Sequence, residues 1–239
     1  MRKKILFTVW LLVPVALLAY HFGPGQTRLS AERAAQKIAE ARQLEVMEQW
    51  DAATQAWADA LAATPANKTA QRLQIQLAHA NARIYTGELP EAMDEMEKLL
   101  TEAQATKAGP NLQREIRSSL ASSRYYAAWL MRLEGGTTEE WLKQAESARQ
   151  HFRLLAEESK GATLASNFEK NLEATIRLEQ MDLSELQGLP LPKKCSGCKN
   201  VCQKCRSQSQ SKCENPGEGE KKEKDARGAG FNNIPKGGS

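Results

Sequence analysis

The residues of this 239-residue chain best suited to chemistry are five cysteines near its carboxyl end. Four of them stand in a CxxC-x3-CxxC pattern, Cys195, Cys198, Cys202 and Cys205, and Cys213 follows eight residues later. Core packing explains this density poorly, because the surrounding segment is polar and rich in lysine. Thiols at such close spacing are typical of a metal site or of disulfide bonds.

Zinc is the metal that the pattern would suit. The two CxxC pairs can each offer thiolates to one ion, and Ser196-Gly197 within the first pair would allow a tight turn. Against this, zinc modules usually separate their two pairs by a longer spacer, so that the chain can fold back. The spacing also differs from the common iron–sulfur run.

A helical conformation of the cluster predicts a different arrangement. Steps of three, four and three residues would place the four thiols on one face, spread over roughly 15 Å. One ion could not collect all four, but two chains side by side could share metals or disulfides, which would make a homodimer. The alternatives for the cluster therefore stay open: a metal, disulfide bonds or no defined role.

The segment that carries the cysteines, residues 188–239, has the composition of a flexible basic tail. From residue 193 onward it holds 11 Lys and Arg against 5 Asp and Glu, a net charge of +6, which leaves −2 for residues 1–192 because the whole chain is +4. Few apolar residues follow Cys213, so we expect disorder there. No aromatic residues interleave with the charges as in a single-strand binding surface, so a solvated tail is favoured and no nucleic-acid partner is expected.

The amino terminus predicts a membrane anchor over residues 1–22. Three basic side chains precede 16 uncharged residues, Ile5 to Tyr20, and the next three residues could extend this stretch towards the roughly 20 that span a bilayer. The alternative is a signal peptide cleaved after Ala19, but Leu17 would then stand where a small residue is preferred. An uncleaved signal anchor is favoured. The basic end should stay in the cytoplasm, which places the body outside it, in a periplasmic or other extracytoplasmic space where disulfides form.

After a linker at residues 23–29, residues 30–187 predict an all-α domain. Alanine is abundant, aromatic residues make up only 6% of the chain, and runs of alternating β-branched residues are missing. Apolar side chains recur at steps of three and four, and Gly or Pro interrupts most of the runs. The later runs are Leu73, Leu77, Ala80, Ile84; Leu89, Ala92, Met93, Met96, Leu99, Leu100; Ile116, Leu120, Ala127, Leu130; Trp141, Ala145, Ala148, Phe152, Leu155; and Leu164, Phe168, Leu172, Ile176. Thr138 is the predicted cap of the fourth, and the last run would form a seventh helix that covers the end of the array.

The first complete helix pair has the clearest pattern. Trp50, Ala53, Trp57, Ala60, Leu61 and Pro65 lie on one predicted helical stripe that ends at the proline. Small residues beside large ones allow two helices to approach closely. The preceding helix carries Ala34, Ile38, Ala41 and Leu44 on its apolar face, so the two should form a hairpin.

These residues resemble a tetratricopeptide repeat. Trp50 opens the family's second helix, Ala53 and Ala60 occupy its small positions, Trp57 its large aromatic position and Pro65 its closing proline, while Ala41 is the small residue of the first helix. The family's tryptophan and leucine in the first helix fall on Lys37 and Glu40. A second, divergent repeat places Gly87, Leu89 and Ala92 at the turn, aromatic and small positions, and Ala92 lies 39 residues after Ala53, against a family period of about 34.

The resemblance implies a short solenoid of antiparallel helical hairpins that binds other proteins. The groove-lining positions of the two repeats fall on Arg42, Glu45, Asn81 and Tyr85. Together with the anchor this predicts a membrane-bound adaptor or scaffold at the cell envelope. Tyr125, Tyr126 and Trp129 could anchor a partner, although such aromatic residues more often fill gaps between helices. The alternative function is a metal-binding or redox-responsive protein that acts through its cysteine tail.

Catalytic patterns are missing from the sequence. Its three histidines, His21, His79 and His151, are far apart, no glycine-rich phosphate loop follows a strand, and there is no nucleophile elbow. The CxxC pairs lack the βαβ context of thioredoxin-like enzymes. We therefore expect that this protein is not an enzyme.

Overall fold

The computed structural model describes residue 10 and residues 12–14, 26–161 and 165–191. Most of the predicted anchor, residues 23–25 of the predicted linker, Leu164 of the last predicted run, and all five cysteines with the tail from residue 192 onward lie outside these residues. Among the helices that are described, none has both the length and the apolar composition needed to cross a membrane.

From residue 26 onward the described chain is all-α, without a strand, as the composition predicts. It forms successive helices that pack on their neighbours, an arrangement compatible with a helical repeat fold. The helices are α1 (Gln26–Val46), α2 (Trp50–Ala63), α3 (Thr69–Thr86), α4 (Leu89–Ala105), α5 (Pro110–Leu133), α6 (Thr138–Glu158), α7 (Ala165–Gln180) and α8 (Leu183–Gly188). The described residues divide into two compact units, with the boundary between His79 and Ala80 inside α3.

In the first unit, α1 and α2 form a hairpin that packs through small residues. The predicted stripe of α2 is confirmed at Ala53, Trp57 and Ala60, which are all buried, as is Ala41 of α1. The helix stops two residues before Pro65, where Thr64 donates a hydrogen bond to the carbonyl of Ala60 at 2.7 Å. The buried apolar side chains of this hairpin are therefore alanines and one tryptophan.

The second unit begins with the carboxyl-terminal part of α3 and continues through α8. Gly87 allows the turn into α4 because its φ of +94° is a conformation that side chains with a Cβ rarely adopt. All six predicted apolar positions of α4 are buried, and Ala103 joins them. Helix α5 lies between α4 and α6 and also contacts α8, while α6 packs on α7.

Large aromatic side chains fill the core of the second unit. Tyr125, Trp129, Phe152 and Phe168 are almost completely buried, and the first two meet edge to face with ring centroids 5.9 Å apart. Tyr126 is also buried, so this aromatic cluster fills space between helices. The apolar cluster includes residues of α5, α6, α7 and α8.

Three details differ from the sequence-based prediction. The cap of α6 is Thr137, one residue before the predicted Thr138, and it forms a capping box with Glu140. In α7, Ile176 is exposed and Leu172 only half-buried, because polar Asn171 and Thr175 occupy the buried face beside Phe168. The ordered body also continues past its predicted end at residue 187, since Leu189 and Leu191 pack partly against the apolar cluster.

Candidate functional site

Two of the four predicted groove residues, Arg42 and Glu45, lie on α1 in the first unit. Arg42 is exposed to solvent, whereas Glu45 is half-buried. The carboxylate of Glu45 accepts a hydrogen bond of 2.8 Å from the indole Nε1 of Trp57 on α2. Glu45 therefore helps to hold α1 against α2, and Arg42 is more accessible to a partner than Glu45.

The other two predicted groove residues, Asn81 and Tyr85, lie one helical turn apart on α3 in the second unit. Tyr85 is 9% exposed, so its ring offers little surface to a partner. Asn81 is half-buried, and its Oδ1 atom is buried without a hydrogen-bond partner among the described residues. A buried acceptor left unpaired costs roughly 1–3 kcal/mol, so the side chain of Asn81 is in an unfavourable environment.

The predicted zinc ligands Cys195, Cys198, Cys202 and Cys205 lie outside the described residues. Within the part of the chain that the structure describes, no three His, Cys, Asp or Glu side chains come close enough to hold a metal ion.

Two positions on α1 where the repeat family has large apolar residues carry an ion-pair network in this chain. Lys37 Nζ lies 2.9 Å from a carboxylate oxygen of Glu40 and 3.4 Å from one of Asp59 on α2. The hydrogen bonds that Lys37 donates to Glu40 and then to Asp59 raise the pKa of Lys37. An ion pair between Lys37 and Asp59 thus links α1 to α2 beside the buried alanines.

A second polar cluster, which the sequence did not reveal, lies where α5 meets α4 and α6. Arg124 of α5 forms an ion pair with Glu97 of α4 and donates a 2.7 Å hydrogen bond to Gln144 of α6. Arg117, two turns earlier on α5, pairs with Glu158 of α6 at 2.7 Å. The two arginine side chains are only 14% and 13% exposed, and their Nε atoms are buried without a partner among the described residues.

His151 of α6 completes this cluster. Its Nδ1 atom is buried and has no hydrogen-bond partner in the described part of the chain. Burial, followed by the charges of Arg124 and Arg117, lowers the pKa of His151 to about 4, so the ring is neutral at pH 7. In the sequence, the only sign of this cluster is that Arg117 and Arg124 lie seven residues apart on the same helix, because the other members come from different helices.

A third arginine connects α5 to the end of α7. Arg132 donates hydrogen bonds to the carbonyls of Leu178 and Met181, the latter at 2.6 Å, and so binds one carbonyl in the last turn of α7 and one just after the helix ends. Its guanidinium also lies 4.3 Å from the ring centroid of Trp141, a cation–π distance. Arg132 therefore has a structural role.

Models of protein families, curated proteins and solved structures were compared with this chain, and none of them matches it.

Proposed function

We propose that this protein is a membrane-anchored adaptor whose tetratricopeptide-like body holds other proteins at the cell envelope. The observation that carries the proposal is the first hairpin, in which alanines of α1 and α2 pack around Trp57 at the positions of the repeat motif. Hairpins of this kind bury one face against their neighbours and leave the other available. The function would be binding and positioning, with no chemical step.

The proposal takes the predicted binding positions unit by unit: the exposed face of α1 at Arg42 in the first unit, and the face of α3 at Asn81 in the second. Arg42 supports it through an accessible guanidinium, a group that recognises carboxylates with two parallel hydrogen bonds. Glu45 and Tyr85 would contribute mainly by shaping the surface, because one is bound to Trp57 and the other is mostly buried.

Site-specific crosslinking tests the binding surface. A photoreactive amino acid replaces Arg42 or Asn81 in the full chain, and the matched control replaces Ala52, which is exposed on α2. We expect a discrete adduct with the same protein from Arg42 and from Asn81 in intact cells, and none from Ala52. Equal adducts from all three positions, or none from Arg42 and Asn81, would contradict the proposal.

The proposed topology puts residues 1–4 in the cytoplasm and the body outside it. It rests on the basic residues before the uncharged stretch Ile5 to Tyr20. A membrane-impermeant maleimide applied to intact cells should label the tail cysteines, more strongly after treatment with a reductant or a chelator. Labelling only after lysis would place the body in the cytoplasm.

A second candidate function is metal- or redox-dependent regulation through the tail. The CxxC-x3-CxxC spacing of Cys195, Cys198, Cys202 and Cys205 favours it, since paired thiols can bind zinc or form disulfides. Replacing Cys195 and Cys198 by serine separates the two functions. An adaptor should keep its crosslinked partner, whereas a metal-binding tail should lose bound zinc measured by mass spectrometry of the native protein.

A further inference from the structure

The contact between α5 and α6 contains a histidine in an environment that disfavours its protonated form. His151 is half-buried, and its Nδ1 atom is buried without a partner in the described residues. It lies two helical turns from both Gln144 and Glu158, which contact Arg124 and Arg117 of α5. Arg124 and Arg117 of α5 are the charged groups that act on the ring. A proton on His151 would place a third positive charge beside two that cannot be discharged, since arginine stays charged in proteins.

The nearby carboxylates do not compensate for such a charge. Glu158 of α6 is bound to Arg117, and Glu97 of α4 is bound to Arg124. Asp94 of α4 also acts on Arg124.

Helix α7 also packs on α6, and its Glu179 forms an ion pair at 3.1 Å with Arg149 of α6. Each of these carboxylates acts on an arginine, whereas the charges that act on His151 are those of Arg124 and Arg117, so its protonation adds a positive charge beside two others.

We propose that His151 is an acid-sensitive latch: when it takes up a proton from solvent, α6 separates from α5. In the closed arrangement the neutral ring is held between the helices, next to the two guanidinium groups. Separation exposes the ring to water and moves it away from Arg117 and Arg124, so the protonated form is favoured in the open arrangement. Protonation of this one side chain would then be enough to make the contact between α5 and α6 depend on pH.

The pKa of His151 fixes the direction and the pH window of the response. Its ordinary value is 6.5, and burial together with the two arginines lowers it to about 4 in the closed structure. Because the folded-state pKa is depressed, the closed arrangement is fully favoured above about pH 6.5 and loses stability as pH falls towards 4. Within this window the ratio of open to closed molecules should rise by up to about tenfold per pH unit.

Hydrogen exchange measured by mass spectrometry tests the latch in the full chain held in detergent micelles. Slow exchange at the imidazole ring reports the pKa of each histidine, and amide protection factors report the opening of each helix. We expect His151 to titrate near 4 and the protection of α6 to fall between pH 6.5 and 4, while that of α1 and α2 changes less. Titration of His151 near 6.5, or pH-independent protection of α6, would overturn the proposal.

Variants at the same position provide an independent test. His151→Gln keeps a neutral polar side chain, so α6 should lose its acid response, whereas the matched control His79→Gln should keep it. His151→Lys introduces a group whose ordinary pKa is about 10.4 and which therefore stays largely charged at pH 7, so α6 should exchange rapidly there. An unchanged acid response in His151→Gln would exclude the latch even if the lysine variant fails to fold.

Discussion

The hairpins α1–α2 and α5–α6 bring two helices together by different means. In the first, alanines such as Ala41 and Ala60 are completely buried around a single large side chain, Trp57. In the second, alanines are buried too, but three large aromatic side chains, Tyr125, Trp129 and Phe152, are buried with them. In the ion pair that joins the first hairpin, Lys37 and Asp59 are both well exposed, whereas in the second Arg117 is largely buried and only its partner Glu158 is exposed.

This difference explains why, of these two hairpins, only α1–α2 resembles a repeat motif in its sequence. Close packing through alanines requires small residues at fixed positions, because a larger side chain at any of them would push the helices apart. A core of aromatic residues can be filled in several ways, so its positions follow no single pattern. The α1–α2 hairpin should therefore tolerate few substitutions at its alanines, and the α5–α6 hairpin should depend on its aromatic residues.

The largest effect is expected when an aromatic residue is removed from the second unit. Phe152 is completely buried, so Phe152→Ala should lower the free energy of unfolding by about 3–5 kcal/mol through lost burial and a residual cavity. Urea unfolding followed by circular dichroism measures this change. Ile176→Ala is the matched control, since that side chain is 37% exposed and its loss should cost no more than about 0.5 kcal/mol. Similar costs for the two variants would show that the aromatic core is not what holds this unit.

Arg132 offers a test of the polar contacts in the same unit. Arg132→Met removes two donors to the end of α7 and the contact with Trp141, for an expected loss of about 2–3 kcal/mol. Arg132→Lys keeps the charge but not the planar fork, so it should recover less than half of that loss. A lysine variant with the wild-type melting temperature would indicate that the two carbonyl contacts contribute little.

In the first hairpin, the bond between Trp57 and Glu45 should matter less. Trp57→Phe keeps most of the buried ring but removes the Nε1 donor, and we expect a loss of about 1 kcal/mol because water can replace the donor at half-buried Glu45. Glu45→Gln retains an acceptor oxygen and should cost less. A double-mutant cycle between the two positions should give a measurable coupling energy, and additive effects would show that the hydrogen bond is energetically silent.

The sequence predicted the fold best where apolar residues decide which face of a helix is buried. The stripes of α2 and α4 follow this rule, since Ala53, Trp57, Ala92 and Met96 all reach the core. The rule failed in α7, where Asn171 and Thr175 are buried while Ile176 is exposed. Thr175 compensates by bonding to the carbonyl of Asn171 at 2.8 Å, a contact that hydrophobic periodicity cannot detect.

The candidate site was less predictable than the fold. Arg117, Arg124 and His151 come together only because α5 and α6 pack at a particular register, which a spacing rule within one helix cannot supply. The groove residues were predicted from their positions in a repeat motif. Such positions do not reveal that Glu45 accepts a hydrogen bond from Trp57 or that Tyr85 is mostly buried.

The smallest effect is expected for Lys37, where the repeat family has a large apolar residue. Lys37 and Asp59 have side chains 38% and 43% exposed, so their attraction is weakened by water and by salt. Lys37→Met should shift the midpoint of urea unfolding only slightly in dilute buffer and not at all in about 1 M NaCl, where the wild-type pair is screened. Asp59 keeps its hydrogen bond of 3.1 Å from Gln55 in the variant, so no charge is left without a contact. A large, salt-independent loss would mean that Lys37 itself holds α1 against α2, and the contrast between an alanine-packed hairpin and an aromatic one would then no longer explain how the two are stabilised.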